Sequence, residues 1–169
     1  MGDDAARLGP YPAVRFSRRI KRTRSGQFEV RLSAEEREVL RGLPSQMRDA
    51  LALGKDDPAV ARLNPSACLD DAEVDAEFHQ MMDDDLNAGR LEALDAFEKT
   101  VDNTRLDEEE ALAWMRAIND TRLLLGTRLD VSEDPGERAV GPDDPRAPGF
   151  ALYDYLSLLT QELVEALGE

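Results

Sequence analysis

The sequence predicts a mainly α-helical, bundle-like domain that begins with a short β-hairpin. From Ser33 onward, apolar residues recur over most of the chain at the three- and four-residue spacing of amphipathic helices. Between Val14 and Leu32, apolar and polar residues instead alternate on both sides of a Ser25-Gly26 turn signal, which is typical of a two-stranded hairpin. With 169 residues, the chain is long enough to form one domain with its own core.

The predicted domain covers residues 14–169 and follows a flexible N-terminus at residues 1–13, which is rich in Gly, Pro and Asp. Residues 14–32 form a basic β-hairpin. Residues 130–149 have four prolines, three glycines and no apolar period, so we expect a flexible acidic loop there. Leucines at helical spacing then predict a C-terminal helix at residues 150–168.

Local signals mark the ends of the other predicted helices. Ser33 followed by Glu36 predicts a capping box at a helix start, and Pro44 predicts a kink or a break in the helix that follows. Pro58 predicts a short helical turn, and residues 71–102 are predicted to form one long helix or two. A further helix is predicted to begin after a cap at Asp107 and to end at Gly126 as its C′ glycine.

The charge of the chain is unevenly distributed. The net charge is −15, yet residues 14–31 contain seven basic residues against the single acid Glu29. The acidic remainder repels phosphate backbones, so only the front segment could attract one. No apolar run approaches the ~20 residues that span a bilayer, and the N-terminus lacks the pattern of a signal peptide. Together with the lone Cys68, these features predict a cytoplasmic protein.

The outer face of the predicted hairpin is basic, and it allows two interpretations. Its cations could pair with acidic helices of the same chain, or they could form a docking surface for an acidic partner. Phe16 and Phe28 are predicted on the core-facing side, so the pattern contains no platform for stacking bases, and a protein partner is favoured over nucleic acid. The candidate partner-binding residues are Arg18, Arg19, Lys21, Arg22 and Arg24.

A metal-binding helical enzyme is one alternative. Asp75, His79 and Asp83 follow one another at four-residue spacing, which places a ligand set suited to iron, manganese or zinc on one helical face. The Glu-x-x-His pattern of di-iron bundles is absent, and acidic residues are common in this chain, so a solvated acidic face is favoured. The sequence has no Gly-rich phosphate loop and no Cys-His arrangement for nucleophilic catalysis. We therefore expect no enzymatic activity, no metal and no cofactor.

Direct DNA binding is a second alternative, through the hairpin or through the helix that begins at Ser33. The opening "SAEEREVL" looks like the first helix of helix-turn-helix regulators. A recognition helix with polar or basic side chains should follow. Pro44 comes too early, however, and the segment from Ser45 to Ala52 offers only Arg48 as a base-reading cation. An amphipathic core helix is therefore the favoured interpretation.

Three blocks of the sequence carry a family resemblance: "LNAGRLEALDAFE", "LDEEEALAWMRAINDTRLLLGTRLDVSED" and "ALYDYLSLLTQELVEAL". They resemble an actinobacterial family catalogued as a domain of unknown function, whose members are also called AosR, an oxidative-stress-responsive regulator. The resemblance runs from about Phe16 to Leu167, and "INDTRLLLGTRLDVSED" is its specific part. It implies a cytoplasmic regulator whose partner is a stress sigma factor of RNA polymerase or a Clp-related component, with cysteine oxidation as the signal.

The residues of the specific block and the cysteine have separate expected roles. We expect the block to be structural, with polar side chains that cap carbonyls and pair with each other around a helix end. Cys68 is the redox candidate, but one cysteine cannot close a disulfide within the chain. The apolar strip of the last helix fits either the core or a homodimer interface. The family-motif residues are Asn119, Asp120, Arg122, Gly126 and Arg128.

Overall fold

The structure is a computed structural model that describes residues 18–64, 72–131, 141 and 143–169, and of residues 55 and 72–79 only the backbone. The described chain is mainly helical with a small antiparallel sheet, which confirms the predicted fold class. The strands are β1 (Ile20–Arg22), β2 (Phe28–Val30) and β3 (Arg105–Leu106). The helices are α1 (Ala34–Arg41), α2 (Leu43–Ala52), α3 (Pro58–Ala61), α4 (Ala72–Thr100), α5 (Glu108–Arg128) and α6 (Ala147–Gly168).

The predicted hairpin is present, and a third strand extends it. β1 and β2 pair antiparallel with Ile20 opposite Val30, and β3 joins the other edge of β2 with Leu106 opposite Phe28. All four of these side chains are buried, because alternate residues of each strand face the helices. β3 was not predicted, since a strand of two residues is too short to produce an alternating pattern.

The predicted capping box starts α1, and the predicted break follows it. The Glu36 amide donates to the Ser33 hydroxyl at 3.2 Å, and the Ser33 amide donates to the Glu36 carboxylate at 2.8 Å. α1 ends at Gly42, and Pro44 lies in the first turn of α2, where its missing amide proton leaves no hydrogen bond unmade.

α3 and α5 also begin at the predicted signals. The Asp57 carboxylate accepts the amide of Ala59 at 2.8 Å at the start of α3. Asp107 and Glu110 form a second capping box at the start of α5, with reciprocal distances of 2.8 and 2.9 Å. α4 is one continuous helix of 29 residues, so of the two predicted alternatives for residues 71–102 the structure has the single long helix.

The predicted end of α5 at Gly126 is wrong. The helix continues to Arg128 and closes with a Schellman motif, in which Asp130 takes the left-handed C′ position at a φ of 53°. The Val131 amide donates to the Gly126 carbonyl at 2.9 Å, and the Asp130 amide donates to the Thr127 carbonyl at 3.2 Å. Aspartate is among the residues that tolerate this conformation, so the helix does not need a glycine there.

α6 begins at Ala147, three residues before the predicted start at 150. Pro148 lies in its first turn, where a proline fits without loss of a hydrogen bond. The Phe150 amide already donates to the Arg146 carbonyl at 3.0 Å, so this turn is helical. The predicted flexible N-terminus at 1–13 lies outside the described residues, and so does half of the predicted loop at 130–149, namely residues 132–140 and 142. Residues 147–149 of that predicted loop belong to α6.

The core lies where α5 packs against α4 and α6, with the sheet and α1 and α2 around it. At its centre the ring of Trp114 meets that of Phe97 edge to face, with centroids 4.9 Å apart. The buried Trp114 Nε1 donates to the Thr100 hydroxyl at 2.8 Å, so this polar atom keeps a partner. Among the described residues, no helix has both the length and the apolar character that crossing a membrane requires.

Candidate protein-docking site on the hairpin

The turn between β1 and β2 has a defined geometry. Gly26 adopts a φ of 82°, a left-handed value that favours glycine. The Thr23 amide donates to the Gln27 carbonyl at 2.7 Å, and the Thr23 hydroxyl donates to the same oxygen at 2.9 Å. Lys21 lies opposite Glu29 in the strand register. The end of the hairpin therefore presents its side chains from an ordered turn.

The cations at the base of the hairpin pair with the protein's own acidic residues. The guanidinium of Arg18 lies 3.0 Å from the Glu165 carboxylate and 2.9 Å from that of Glu169, both near the end of α6. The Arg19 side chain donates to the Glu36 carboxylate at the start of α1. The contacts of Arg18 and Arg19 therefore fit the first interpretation of the basic face, in which its cations pair with acidic residues of the same chain.

A buried carboxylate fastens the same end of the hairpin to α6. Glu162 is 8% exposed, and its Oε2 atom accepts the backbone amides of Arg19 at 2.7 Å and Ile20 at 3.0 Å. The sequence interpretation missed this residue. Its position between Leu159 and Leu163 was an available signal, because an acid next to a buried leucine stripe needs a polar partner.

Burial and charge act together at this junction. Burial and the nearby carboxylate of Glu36 raise the pKa of Tyr155 far above its usual range, so the phenol stays neutral. Burial also opposes ionisation of Glu36, but hydrogen bonds from Arg19 and from the Ser33 amide outweigh it and hold the pKa of Glu36 below its ordinary value. The Arg19 guanidinium lies 5.8 Å from the centroid of the Tyr155 ring.

The remaining hairpin cations form what we call the hairpin tip: Lys21, Arg22 and Arg24. Lys21 and Arg24 are exposed, and within the described part of the chain neither makes an ion pair or a hydrogen bond through its side chain. The Arg22 guanidinium lies 5.7 Å from the ring centroid of Phe28, which orients it without neutralising it. The five predicted docking residues are therefore divided into an internally paired base and a tip that has no ion pair within the described residues.

One family-motif residue, Asp120, forms a largely buried ion pair between α5 and α4. Its Oδ2 atom lies 3.2 Å from Nε of Arg90, and both side chains are at most 15% exposed. Burial raises the pKa of Asp120, and the charge of Arg90 opposes that rise. Arg90 also donates to the Leu63 carbonyl at 2.7 Å. The sequence interpretation missed Arg90, although it lies four residues before Leu94 and thus places a cation in an apolar stripe.

Two other motif residues, Arg122 and Gly126, meet α6. Arg122 donates to the Asn119 side chain at 2.9 Å, and its guanidinium lies 6.0 Å from the centroid of the Tyr153 ring. Gly126 faces the same ring, since a Cβ atom there would lie 2.9 Å from Cε2 of Tyr153. The glycine is therefore explained by the close approach of α6 and not by the helix end.

The last motif residue, Arg128, pairs with Asp57 at 3.1 Å, and Asp57 is also the cap of α3. This hydrogen bond and that from the Ala59 amide lower the pKa of Asp57, with the amide as the larger cause. The side chains of the other four motif residues, Asn119, Asp120, Arg122 and Arg128, thus each have a contact within the chain.

The segment proposed for DNA reading also has internal partners. Arg48 of α2 donates to the carboxylates of Asp95 at 2.6 Å and Glu98 at 2.7 Å, both on α4. Met47 on the same helix is buried in the core. Arg48, the candidate base-reading cation of that segment, is therefore held against α4, and this arrangement does not favour the helix-turn-helix alternative.

The redox and metal candidates fall mostly outside the described residues. Cys68 lies outside them altogether, and the side chains of Asp75 and His79 do as well. Asp83 is buried within α4 and has an interaction of its own. Among the residues that the structure does describe, no cluster of His, Cys, Asp and Glu could hold a metal ion.

Comparisons with known proteins place the chain in a family. Residues 17–167 match the family described as a domain of unknown function (DUF2017). Relatives named "Oxidative stress regulator AosR" from Mycobacterium tuberculosis and Mycobacterium bovis are each 35% identical to this chain over 85 residues, which is 48% of this chain and 38% of the relative. An AosR relative from Mycobacterium leprae is 30% identical over 150 residues, which is 79% of this chain and 67% of the relative.

These matches cover different shares of the proteins compared. The first relatives are matched over less than half of their own length, whereas the family match covers nearly all of this chain. No solved structure matches the chain. The family match confirms the resemblance noted in the sequence, and the chain belongs to the DUF2017 family.

Proposed function

We propose that this protein is a non-enzymatic, cytoplasmic regulator of the oxidative stress response that binds another protein through its hairpin tip. The observation that carries the proposal is the division of the hairpin cations. Arg18 and Arg19 pair with carboxylates of the same chain, whereas no described carboxylate pairs with the tip. Lys21 and Arg22 on β1 and Arg24 in the ordered turn give this end of the hairpin a positively charged contact surface.

The charge of the chain suggests what kind of partner this surface fits. A net charge of −15 repels an acidic protein from most of the surface, while the hairpin tip attracts an acidic segment. Such an arrangement fixes the orientation of the partner and raises its association rate more than its affinity. The partner is therefore a protein with an exposed acidic segment.

The names of the relatives suggest the cellular response in which this protein acts. The curated relatives are named as oxidative stress regulators, so we place this chain in the same response. The proposed partner is a component of the transcription apparatus, a stress sigma factor of RNA polymerase in the first place, and a Clp-related component is the alternative. The chain has one cysteine, so a disulfide signal has to join Cys68 to a thiol of another molecule.

The test is affinity purification of tagged protein from an actinobacterial lysate, with and without peroxide, followed by quantitative mass spectrometry. The tip variant is Lys21→Glu/Arg24→Glu, which reverses two exposed cations that have no described ion pair. Arg62→Glu/Lys99→Glu is the matched control, because it also reverses one exposed Arg and one exposed Lys and changes the net charge equally. We expect wild type and control to retain an acidic transcription protein that the tip variant loses.

Two results would contradict the proposal. If all three proteins recover the same partners or none, the hairpin tip is not a docking surface. If nuclease treatment abolishes the recovery, and binding falls steeply with salt, the tip contacts nucleic acid instead of protein.

A further inference from the structure

A groove of about 340 Å³ runs between α4 and α5, outside the hairpin and its junction. Small residues line part of it: Gly89 and Ala93 from α4 and Ala113 from α5. Residues without large side chains let another helix approach closely, because they leave the backbone accessible. Leu112 lines the same groove and is 45% exposed, so an apolar side chain lies open at its edge.

The apolar character continues along α4 beyond the groove. Met82, Leu86, Gly89 and Ala93 are spaced by four, three and four residues, so they share one face of the helix. Met82 is 44% exposed and Leu86 is 45% exposed. Met82, Leu86 and Leu112 form what we call the α4 strip, an exposed apolar surface that leads into the groove. Methionine adapts its shape to different partners, which suits a binding surface.

The acids around the α4 strip are not neutralised within the described residues. Asp85, Glu92 and Glu109 are exposed, and none of them makes an ion pair or a side-chain hydrogen bond there. Elsewhere on the same helix, Asp95 and Glu98 both pair with Arg48. Arg116 is the cation among the residues that line the groove. The α4 strip therefore combines an apolar centre with a rim of excess negative charge.

We propose that the α4 strip and its groove bind an amphipathic helix of a partner protein, with Lys and Arg residues beside its apolar face. Such a helix would place its apolar side chains against Met82, Leu86 and Leu112 and its cations against Glu92 and Glu109. Charge complementarity selects this occupant, since a second copy of this chain would add another net charge of −15 to the same surface. This site is opposite in charge to the hairpin tip and does not depend on it.

The test uses a fluorescein-labelled 18-residue peptide of Leu and Lys, with leucines at helical spacing along one face. A peptide of the same composition with its leucines scattered around the helix is the control probe. Binding to the full chain is measured by fluorescence anisotropy at about 0.15 M salt, where exposed charges alone are strongly screened. We expect the amphipathic peptide to bind at least about tenfold more tightly than the scattered one.

Two pairs of variants locate the binding. Met82→Gln/Leu86→Gln should weaken binding about tenfold, while Leu53→Gln/Val164→Gln, which changes two apolar residues elsewhere that are more exposed, should not. Glu92→Gln/Glu109→Gln should weaken binding several-fold, while Asp49→Asn/Asp56→Asn removes the same charge from two exposed positions away from the groove without effect. Circular dichroism verifies that each variant is folded.

The proposal is overturned if both peptides bind equally, or if the strip variants bind as well as their controls. It is also overturned if sedimentation shows a dimer of the wild-type chain that Met82→Gln/Leu86→Gln dissociates, because a second copy would then be the occupant.

Discussion

The carboxylate of Glu162 accepts the backbone amide of Ile20 at 3.0 Å, and both residues are buried. This hydrogen bond joins the first strand of the sheet to the last helix. The same oxygen atom also accepts the amide of Arg19 at 2.7 Å. A charged acceptor in a buried setting makes hydrogen bonds that are stronger than neutral ones. Glu162 therefore determines where the hairpin, and with it the hairpin tip, is held on the helical body.

Removal of this acceptor should destabilise the fold. In Glu162→Ala two backbone amides lose their partner, and each orphaned donor costs about 1–3 kcal/mol. We expect a loss of about 2–4 kcal/mol in the free energy of unfolding, measured by urea titration at neutral pH. Glu162→Gln keeps one oxygen acceptor and should lose less. Hydrogen exchange at the Ile20 amide should accelerate in Glu162→Ala.

Glu165→Ala is the control for this measurement. Glu165 pairs with Arg18 at 3.0 Å, but both side chains are substantially exposed, so its removal should cost less than about 1 kcal/mol. Equal losses in Glu162→Ala and Glu165→Ala would show that the buried carboxylate is not an anchor.

The junction should also make stability depend on pH through Glu36. Its pKa in the folded protein lies below the ordinary value of 4.5, so the ionised carboxylate stabilises the fold. This contribution is present above about pH 4.5 and is lost as the pH falls through the lowered value. Glu36→Gln should therefore be about 1–2 kcal/mol less stable than wild type at neutral pH, with a difference that shrinks in acid.

The pH series of urea titrations needs a second carboxylate for comparison. Glu38 pairs with Arg41, but its side chain is 77% exposed, so Glu38→Gln should follow the wild-type curve at every pH. A difference between Glu36→Gln and wild type that stays constant from neutral pH to about pH 3 would contradict the assignment to Glu36.

The sequence could predict the hairpin and its basic face but not which of its cations are occupied. Alternation of Phe28, Glu29 and Val30 is a local pattern, and it correctly predicted that Phe28 is buried. The partners of Arg18 lie in the last turns of α6, more than 140 residues away in sequence. Only the packing of α6 against the sheet brings those carboxylates to the hairpin, and no local pattern encodes that approach.

We predict that Gly126→Ala lowers the free energy of unfolding, although this type of substitution usually raises it in a helix. In a helix interior Gly→Ala normally adds about 1 kcal/mol of stability, because it reduces the entropy of the unfolded chain. At Gly126 the added Cβ atom would lie 2.9 Å from the Tyr153 ring. Overpacking of this kind costs about 1–3 kcal/mol, so Gly126→Ala should lower the free energy of unfolding by about 1 kcal/mol.

Two further variants test whether the Tyr153 ring causes the destabilisation expected of Gly126→Ala. At Gly89 a Cβ atom would lie 3.3 Å from the flexible end of Arg116, which can move away, so Gly89→Ala should be neutral or stabilising. In a Tyr153→Ala background the obstacle is gone, and Gly126→Ala should become stabilising. Destabilisation that persists in this background would show that the ring is not the cause.

The same glycine shows why the helix end was mispredicted. A glycine followed by polar residues is a common C′ signal, and the sequence around Gly126 matches it. The actual C′ residue is Asp130, which is less favoured there than glycine. The glycine is required by Tyr153, on a different helix. A tertiary contact therefore explains a residue that local rules assigned to helix termination.

The most direct measurement of the docking account is photo-crosslinking in actinobacterial cells, with a benzophenone amino acid at position 24 of the hairpin tip. Position 62 is the control site, because Arg62 is also exposed and lies directly after α3. After peroxide treatment, we expect a covalent adduct with an acidic protein of the transcription apparatus from position 24 and none from position 62. No adduct at position 24, or the same adducts from both positions, would contradict a docking role for the hairpin tip.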